Sequence, residues 1–320
     1  MLDKVDLRDP RVALGPRPGE DAALIDFGDK YLVAKTDPIT FATDLIGWYL
    51  VQVNANDLAV MGATPRWLMV TLLLPEGTTS GAVEAIFDQM LDACRPLGIT
   101  LVGGHTEVTY ELPRPIAIGA LLGEVAKDRV VLTAGAMPGD SIVLTKGIAI
   151  EGTSVLAREA SDALRLAGIA PSVIEGAKKF LFSPGISVTR EAAIACTVNV
   201  HAMHDPTEGG LATGLLEMAK AADVGLVVEG DRISTLAECR EFCDALGLDP
   251  LGLIASGSLL ATLGPRDVPR FIDALGQEGI AAREIGRITP SEQGLKLRTP
   301  NGVRELPRFE RDELARYLGS

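Results

Sequence analysis

The sequence predicts an α+β protein built as two domains. Three observations carry that expectation. Apolar runs of strand length alternate with stretches of helical period, a turn-rich segment at 134–140 interrupts them near the middle, and 320 residues suffice for two medium-sized cores. In the first half this order implies helices on one face of a largely antiparallel or mixed sheet.

The first thirty residues are rich in glycine, proline and aspartate, with Gly15-Pro16-Arg17-Pro18-Gly19 among them, and read as a loop or mobile arm. Residues 31–36 form a β-type run that ends at Asp37. Between 44 and 61 the apolar Leu45, Trp48, Tyr49, Val53, Val60 and Met61 recur at mixed spacings of three and four, which predicts a helix. A strand follows at 67–74, a helix at 82–94, a strand at 99–102 that runs into the loop Gly103-Gly104-His105-Thr106-Glu107, and a strand at 116–125. The domain boundary is placed at 138/139, beside Pro138-Gly139-Asp140. The second half opens with a strand at 141–145, helices near 152–160, 172–181 and 187–196, and a β-like segment at 198–203. Asp205-Pro206-Thr207-Glu208 offers an aspartate N-cap, proline at the first helical position and glutamate at the third, so a helix is expected from there to about 222. Strands at 225–229, 257–263 and 284–288, helices near 234–245 and 267–278, and a terminal helix within 309–318 complete the reading.

Composition removes several functions from consideration. With 43 acids against 30 bases the chain carries a net charge of −13, and no stretch concentrates lysine and arginine, so the electrostatic footprint of a nucleic-acid binder is missing. An acidic protein that binds a polyanion needs metal ions and backbone N–H groups to do so. No run of about 18 uncharged apolar residues marks a membrane span, and the start of the sequence lacks the apolar core of a secretion signal. Cys94, Cys196, Cys239 and Cys243 include no Cys-x-x-Cys pair and are expected as reduced thiols, which fits a cytoplasmic protein.

The residues with chemical promise are mostly carboxylates. Asp21 follows Gly19-Glu20, Asp37 closes a strand, and Asp57 lies within a long helical stretch. Carboxylates so placed converge only if a cation holds them together, and magnesium with a polyphosphate is the commonest guest of that kind. Taken singly, each reads as an ordinary surface or capping acid. Asn54 and Asp57 lie one helical turn apart and share a face. Gly103 and Gly104 allow close backbone approach to a ligand, with His105 and Thr106 beside them. Lys35 beside Thr36, and Lys146 beside a threonine, stand at strand ends where a phosphate contact is possible, although a solvated lysine is the default. Asp205 reads either as a helix cap or as an active-site acid, because a helix N-terminus favours anions in both cases. Gly209-Gly210 would be costly inside the helix that follows.

In order and spacing these segments resemble the aminoimidazole ribonucleotide synthetase-like (PurM-like) superfamily. It includes the E-type hydrogenase maturation factor, thiamine-monophosphate kinase and selenophosphate synthetase. The matching pieces are Gly19-Glu20-Asp21-Ala22-Ala23, Lys35-Thr36-Asp37, Val53-Asn54-Ala55-Asn56-Asp57-Leu58-Ala59, Gly103-Gly104-His105-Thr106, Pro138-Gly139-Asp140 and His204-Asp205-Pro206-Thr207-Glu208-Gly209-Gly210-Leu211. The resemblance implies an N-terminal domain at 1–138 that forms a β-barrel shared across a homodimer, and a C-terminal α/β sandwich at 139–320. It implies ATP as cofactor, with Mg2+ on Asp21, Asp37 and Asp57. Thr36, Asn54, Gly103, Gly104, Thr106 and Lys146 would line the nucleotide site, and Asp205 and His105 would act as catalytic groups. The implied reaction phosphorylates an oxygen of a small-molecule or protein-borne acceptor. A kinase of the thiamine-monophosphate type and a catalytically silent ATP-binding assembly protein are the alternatives. The Asp-Pro-Thr-x-Gly-Gly-Leu form resembles the maturation factor. The sequence reads to Tyr317-Leu318-Gly319-Ser320 without that factor's terminal cysteine, so its cysteine chemistry is not expected in cis. The arm before Cys94 likewise lacks the cysteine of selenophosphate synthetase.

Overall fold

The computed structural model describes residues 4–17, 19–40 and 44–319. By internal contacts the chain forms two compact units, Met1–Arg17 with Asp21–Val130, and Pro18–Glu20 with Val131–Ser320. The turn-rich segment at 134–140, where the sequence places its boundary, belongs to the second unit.

The first unit holds β1 (Val12–Leu14), β2 (Ala23–Asp26), β3 (Lys30–Ile39), α1 (Ile46–Val60), β4 (Thr64–Leu74), α2 (Ser80–Leu97), β5 (Thr100–Val108) and β6 (Ile116–Ala126). Its six strands lie in the order β1-β2-β3-β6-β4-β5. All neighbours are antiparallel except β4 and β5, which α2 joins as a crossover. Along β4 and β6 the side chains alternate in burial: Leu68, Val70, Leu72, Ala117 and Leu121 are buried, while Met69, Ile116, Ile118 and Leu122 remain half-exposed or exposed. Both helices pack on this unit's sheet, and α1 is buried on nearly every side.

Two expectations fail here for identifiable reasons. The arm of the first thirty residues contains β1 and β2, paired through Val12↔Ile25; the short apolar run Ala23-Leu24-Ile25 is strand enough, although turn residues surround it. The segment 103–107 is not a loop but the interior of β5. Gly104 is there because a Cβ would run into the Val70 carbonyl opposite, just beyond the register shift between Leu68 and Met69.

The second unit holds β7 (Ser141–Thr145), α3 (Ile150–Glu159), α4 (Ser161–Leu166), α5 (Pro171–Lys178), α6 (Thr189–Ala195), β8 (Val200–His204), α7 (Gly210–Ala222), β9 (Val224–Glu229), α8 (Ala237–Leu246), β10 (Leu260–Leu263), α9 (Val268–Gln277), β11 (Ala282–Pro290), β12 (Leu295–Thr299), β13 (Gly302–Glu305) and α10 (Glu313–Leu318). Seven strands run β13-β12-β9-β11-β7-β10-β8, with β7 buried on both faces. The core is formed by Leu211, Leu215 and Met218 of α7 against Ile142, Leu144, Leu226, Val228 and Ile285 of the sheet. The helix expected from Asp205 begins later. Its cap is Gly209 at φ 75°, followed by Gly210 at φ 63°, so both glycines serve a left-handed turn instead of weakening a helix interior. A Cβ on Gly210 would also lie 2.6 Å from the Leu251 carbonyl oxygen.

Candidate functional site

In the first unit, residues 35 and 37 of β3 share a face by strand alternation, and that face meets α1. Asn54, fully buried on α1, accepts a hydrogen bond from the Asp37 backbone N–H at 3.1 Å and donates to the Leu50 carbonyl at 2.9 Å. Gly119, which pairs with Asp37 across the sheet, leaves room for this: a Cβ there would stand 2.6 Å from the Asn54 amide nitrogen. The Asn54 side chain therefore holds β3, a different task from the nucleotide contact expected of it.

One turn further on, the Asp57 carboxylate is buried beside the Lys35 ammonium at 3.3 Å, and the Asp37 carboxylate lies 3.4 Å from the same nitrogen. Burial pulls the Lys35 pKa down, but Asp57, Asp37 and Asp21 together more than offset it and hold the ammonium above its ordinary range. Acids distant in the sequence thus converge on a cation, and that cation is Lys35. From the sequence alone this lysine reads as solvated. Among the described residues no three His, Cys, Asp or Glu side chains stand as a ready metal cage. The donor set nonetheless fits magnesium, which binds proteins through one or two carboxylates and completes its shell with phosphate and water.

Other expected members lie elsewhere. Thr36 alternates to the opposite face of the sheet and is exposed. In register, Thr36 stands opposite Ala120, then Met69, then Gly103, so three strand spacings, about 14 Å, separate Thr36 from Gly103 within one chain. Asp37 and Gly104 are related in the same way. His105 and Thr106 continue along exposed β5, and the His105 ring lies 3.5 Å from the Glu107 carboxylate.

In the second unit Lys146 has a different task from the phosphate contact expected. Its side chain is buried, its backbone is left-handed at φ 55°, and its ammonium donates to the carbonyls of Gly185 at 3.0 Å and Ser187 at 2.7 Å while pairing with Glu191 at 2.8 Å. Three donors meet three acceptors, so Lys146 ties down the 185–191 segment. His201 and His204 are also engaged separately, with Asp140 and Glu217.

Asp205 is 1% exposed and follows β8 directly. It is not a helix cap. The chain after it turns tightly, with Gly210 and Ala255 both donating to the Thr207 carbonyl at 3.1 and 3.2 Å. Asp312 grips the turn from the C-terminal segment: one carboxylate oxygen accepts from Gly209 N–H at 2.6 Å and the other from Leu314 N–H at 2.7 Å. Beside this turn lies Glu151 of α3, almost fully buried, whose carboxyl is pushed up to about 7 by burial, with Glu208 and Asp312 adding to the rise and the Ser256 hydroxyl opposing it. Neither Glu151 nor Asp312 carries a motif signal in the sequence; only their fold neighbours reveal them.

Comparisons with known proteins agree with this architecture. Residues 19–125 match the AIR synthase related protein, N-terminal domain, and residues 137–297 match the AIR synthase related protein, C-terminal domain. A putative hydrogenase expression/formation protein of Methanocaldococcus jannaschii is 29% identical over 95% of this chain and 90% of its own length. A carbamoyl dehydratase HypE of Cupriavidus necator is also 29% identical, over 78% of this chain and 70% of its own. The crystal structure of a hydrogenase maturation protein HypE in complex with ATP superposes with a TM-score of 0.72 at 24% identity, covering 96% of this chain and 92% of that one, which supports the fold. No described helix is long and apolar enough to cross a membrane. By its two matched domains, its two-sheet α+β architecture and its HypE-type relatives, the chain belongs to the AIR synthase related family.

Proposed function

We propose that this protein is an ATP- and magnesium-dependent cytoplasmic enzyme of the HypE type, which phosphorylates an oxygen of a small-molecule or protein-borne acceptor. The observation that carries this reading is the convergence of Asp57, Asp37 and Asp21 on Lys35 in the first unit. Asp37 and Asp57 would hold magnesium, with Asp21 beside them. Bound with ATP, the metal would supply charge neutralisation for phosphoryl transfer, a reaction that asks of a protein mainly positioning and electrostatic stabilisation. Lys35 keeps the acids together and offers an ammonium for phosphate oxygens. Asp205, buried in the second unit, is the catalytic acid of this reading.

A homodimer belongs to the same proposal. The face of the six-stranded sheet that alternates away from α1 carries Trp67, Met69, Ile118 and Leu122, and β5 offers an open edge with Val102 and Val108 exposed. A second copy of the chain would cover both and thereby remove an unpaired strand edge. Replacement of Met69 by lysine is expected to shift the protein to monomer in analytical ultracentrifugation.

The enzymatic reading is tested by Asp57→Asn. ADP release from magnesium-ATP is expected to fall about 100-fold, as when one electrostatic contact to a transferring group is removed, while circular dichroism stays that of the wild type. Undiminished turnover would refute the assignment. With acceptor present, ADP plus a stable phosphorylated product identifies a kinase, and ADP plus free phosphate with a dehydrated acceptor identifies the dehydratase reaction.

A further inference from the structure

Glu151 has no part in the function proposed above, yet its setting is unusual. It is the second residue of α3, entered through a connection in which Lys146 and Ala149 both adopt left-handed backbone at φ 55° and 57°. Such conformations cost free energy for residues with a Cβ and persist where surrounding structure fixes them. Three segments are linked to one another beside it. The 253–256 segment is tied to α3 by Gly152 N–H donating to the Ile254 carbonyl at 3.1 Å. The 205–210 turn is tied to that segment by Ala255 N–H on Thr207, and Asp312 holds Gly209.

The interior here is short of partners. Glu151 Oε2 and Ser256 Oγ, on side chains 7% and 1% exposed, complete no hydrogen bond of normal geometry. The described groups that act on Glu151 are the Ser256 hydroxyl, Glu208 in the turn and Asp312 of the C-terminal segment, and none of them is a cation. A carboxylate in such a place is costly, whereas a neutral carboxyl is not. Burial also pushes Asp312 above the usual carboxylate range, against the N–H groups of Gly209 and Leu314 that favour its charge.

We propose that Glu151 is a proton-dependent positioning residue for the turn that follows Asp205. While Glu151 carries its proton, Glu208 and Asp312 tolerate it and the Gly209–Asp312 bond holds the turn. When the proton leaves to solvent, a buried negative charge is added beside Asp312, with the more exposed Glu208 adding to the repulsion, and the turn lets go of Asp312. The consequence is a molecule whose Asp205 segment is set below neutrality and loosened above it. The link to activity rests on the catalytic role proposed for Asp205; the structural effect does not.

Amide hydrogen exchange on the full-length protein, corrected for intrinsic rates, tests this without any substrate. In the wild type, protection across 205–211 is expected to fall at least tenfold from pH 6 to pH 8. In Glu151→Gln, which stays neutral, the change should be under twofold. Ser256→Ala, which removes the group favouring the charged form, should move the midpoint to higher pH and serves if the glutamine variant does not fold. Equal loss of protection in Glu151→Gln, an unmoved midpoint in Ser256→Ala, or constant wild-type protection would each overturn the proposal. Magnesium-ATP turnover, measured in parallel, should lose its high-pH decline in Glu151→Gln; an unchanged decline beside the expected protection pattern would overturn the catalytic role of Asp205 and leave the positioning role standing. If no variant or wild type turns over ATP while protection follows the expected pattern, the enzymatic reading falls and this one stands.

Discussion

The two units bury acidic groups by opposite means. In the first, the Asp57 carboxyl is buried with the Lys35 ammonium 3.3 Å away, a cation it shares with Asp37. In the second, Glu151 goes inside near Asp312, with the Ser256 hydroxyl as the favourable neighbour among the described residues, and keeps a proton instead. The contrast teaches that a buried carboxyl says little until its counter-group is known. One arrangement is a fixed charge pair that is insensitive to pH near neutrality. The other exchanges its proton within the physiological range.

Removing the ammonium gives the largest expected effect. Lys35→Met leaves the buried Asp57 carboxylate without it and should destabilise the first unit by about 3–5 kcal/mol in urea denaturation. Adding Asp57→Asn should restore most of that loss, and a cost below about 1 kcal/mol would show the pair to be no more than a surface contact. Glu151→Gln sharpens the other side. The folded-state pKa lies above the ordinary 4.5 at about 7, so the native protein holds a proton that the unfolded chain releases between these values. This stabilisation is complete below about pH 4.5 and is lost as pH rises through 7. The glutamine variant should therefore match the wild type in acid and exceed it at pH 8 by up to about 3 kcal/mol.

Smaller effects test the scaffold beneath the pair. Gly119→Ala places a methyl group 2.6 Å from the Asn54 amide and should cost about 1–3 kcal/mol in thermal unfolding as Asn54 is driven off β3. Thr36→Ala, one residue from both Lys35 and Asp37 but on the outer face, should change stability by no more than about 0.5 kcal/mol. A large loss there would show that the two faces of β3 are not independent.

Much of this molecule is legible in the sequence. The strand at 141–145 is found where the apolar run predicts it, and the helical spacing of Asn54 and Asp57 does put both on a buried face. What escapes has physical reasons. Gly103-Gly104 looks like a turn because two glycines usually are one, and only the Val70 carbonyl across the ladder shows why Gly104 lies inside a strand. Asp205-Pro206-Thr207-Glu208 satisfies the local rules for a helix start, yet long-range bonds to Ala255 and Asp312 hold the turn open until Gly210. Thr36 shows the reverse failure. Strand alternation alone separates it from Lys35 and Asp37, and proximity along the chain conceals this. Lys146 could not be read at all, since its three acceptors come from about forty residues away.

Lys35 has a further consequence for how the first unit lives between encounters with a guest. An enclosure of bare acids would repel itself whenever it stood empty and would need an ion merely to stay folded. A tethered ammonium acts as a permanent tenant that keeps the walls quiet. Folding would thereby not depend on any guest, and the empty enclosure would keep its shape.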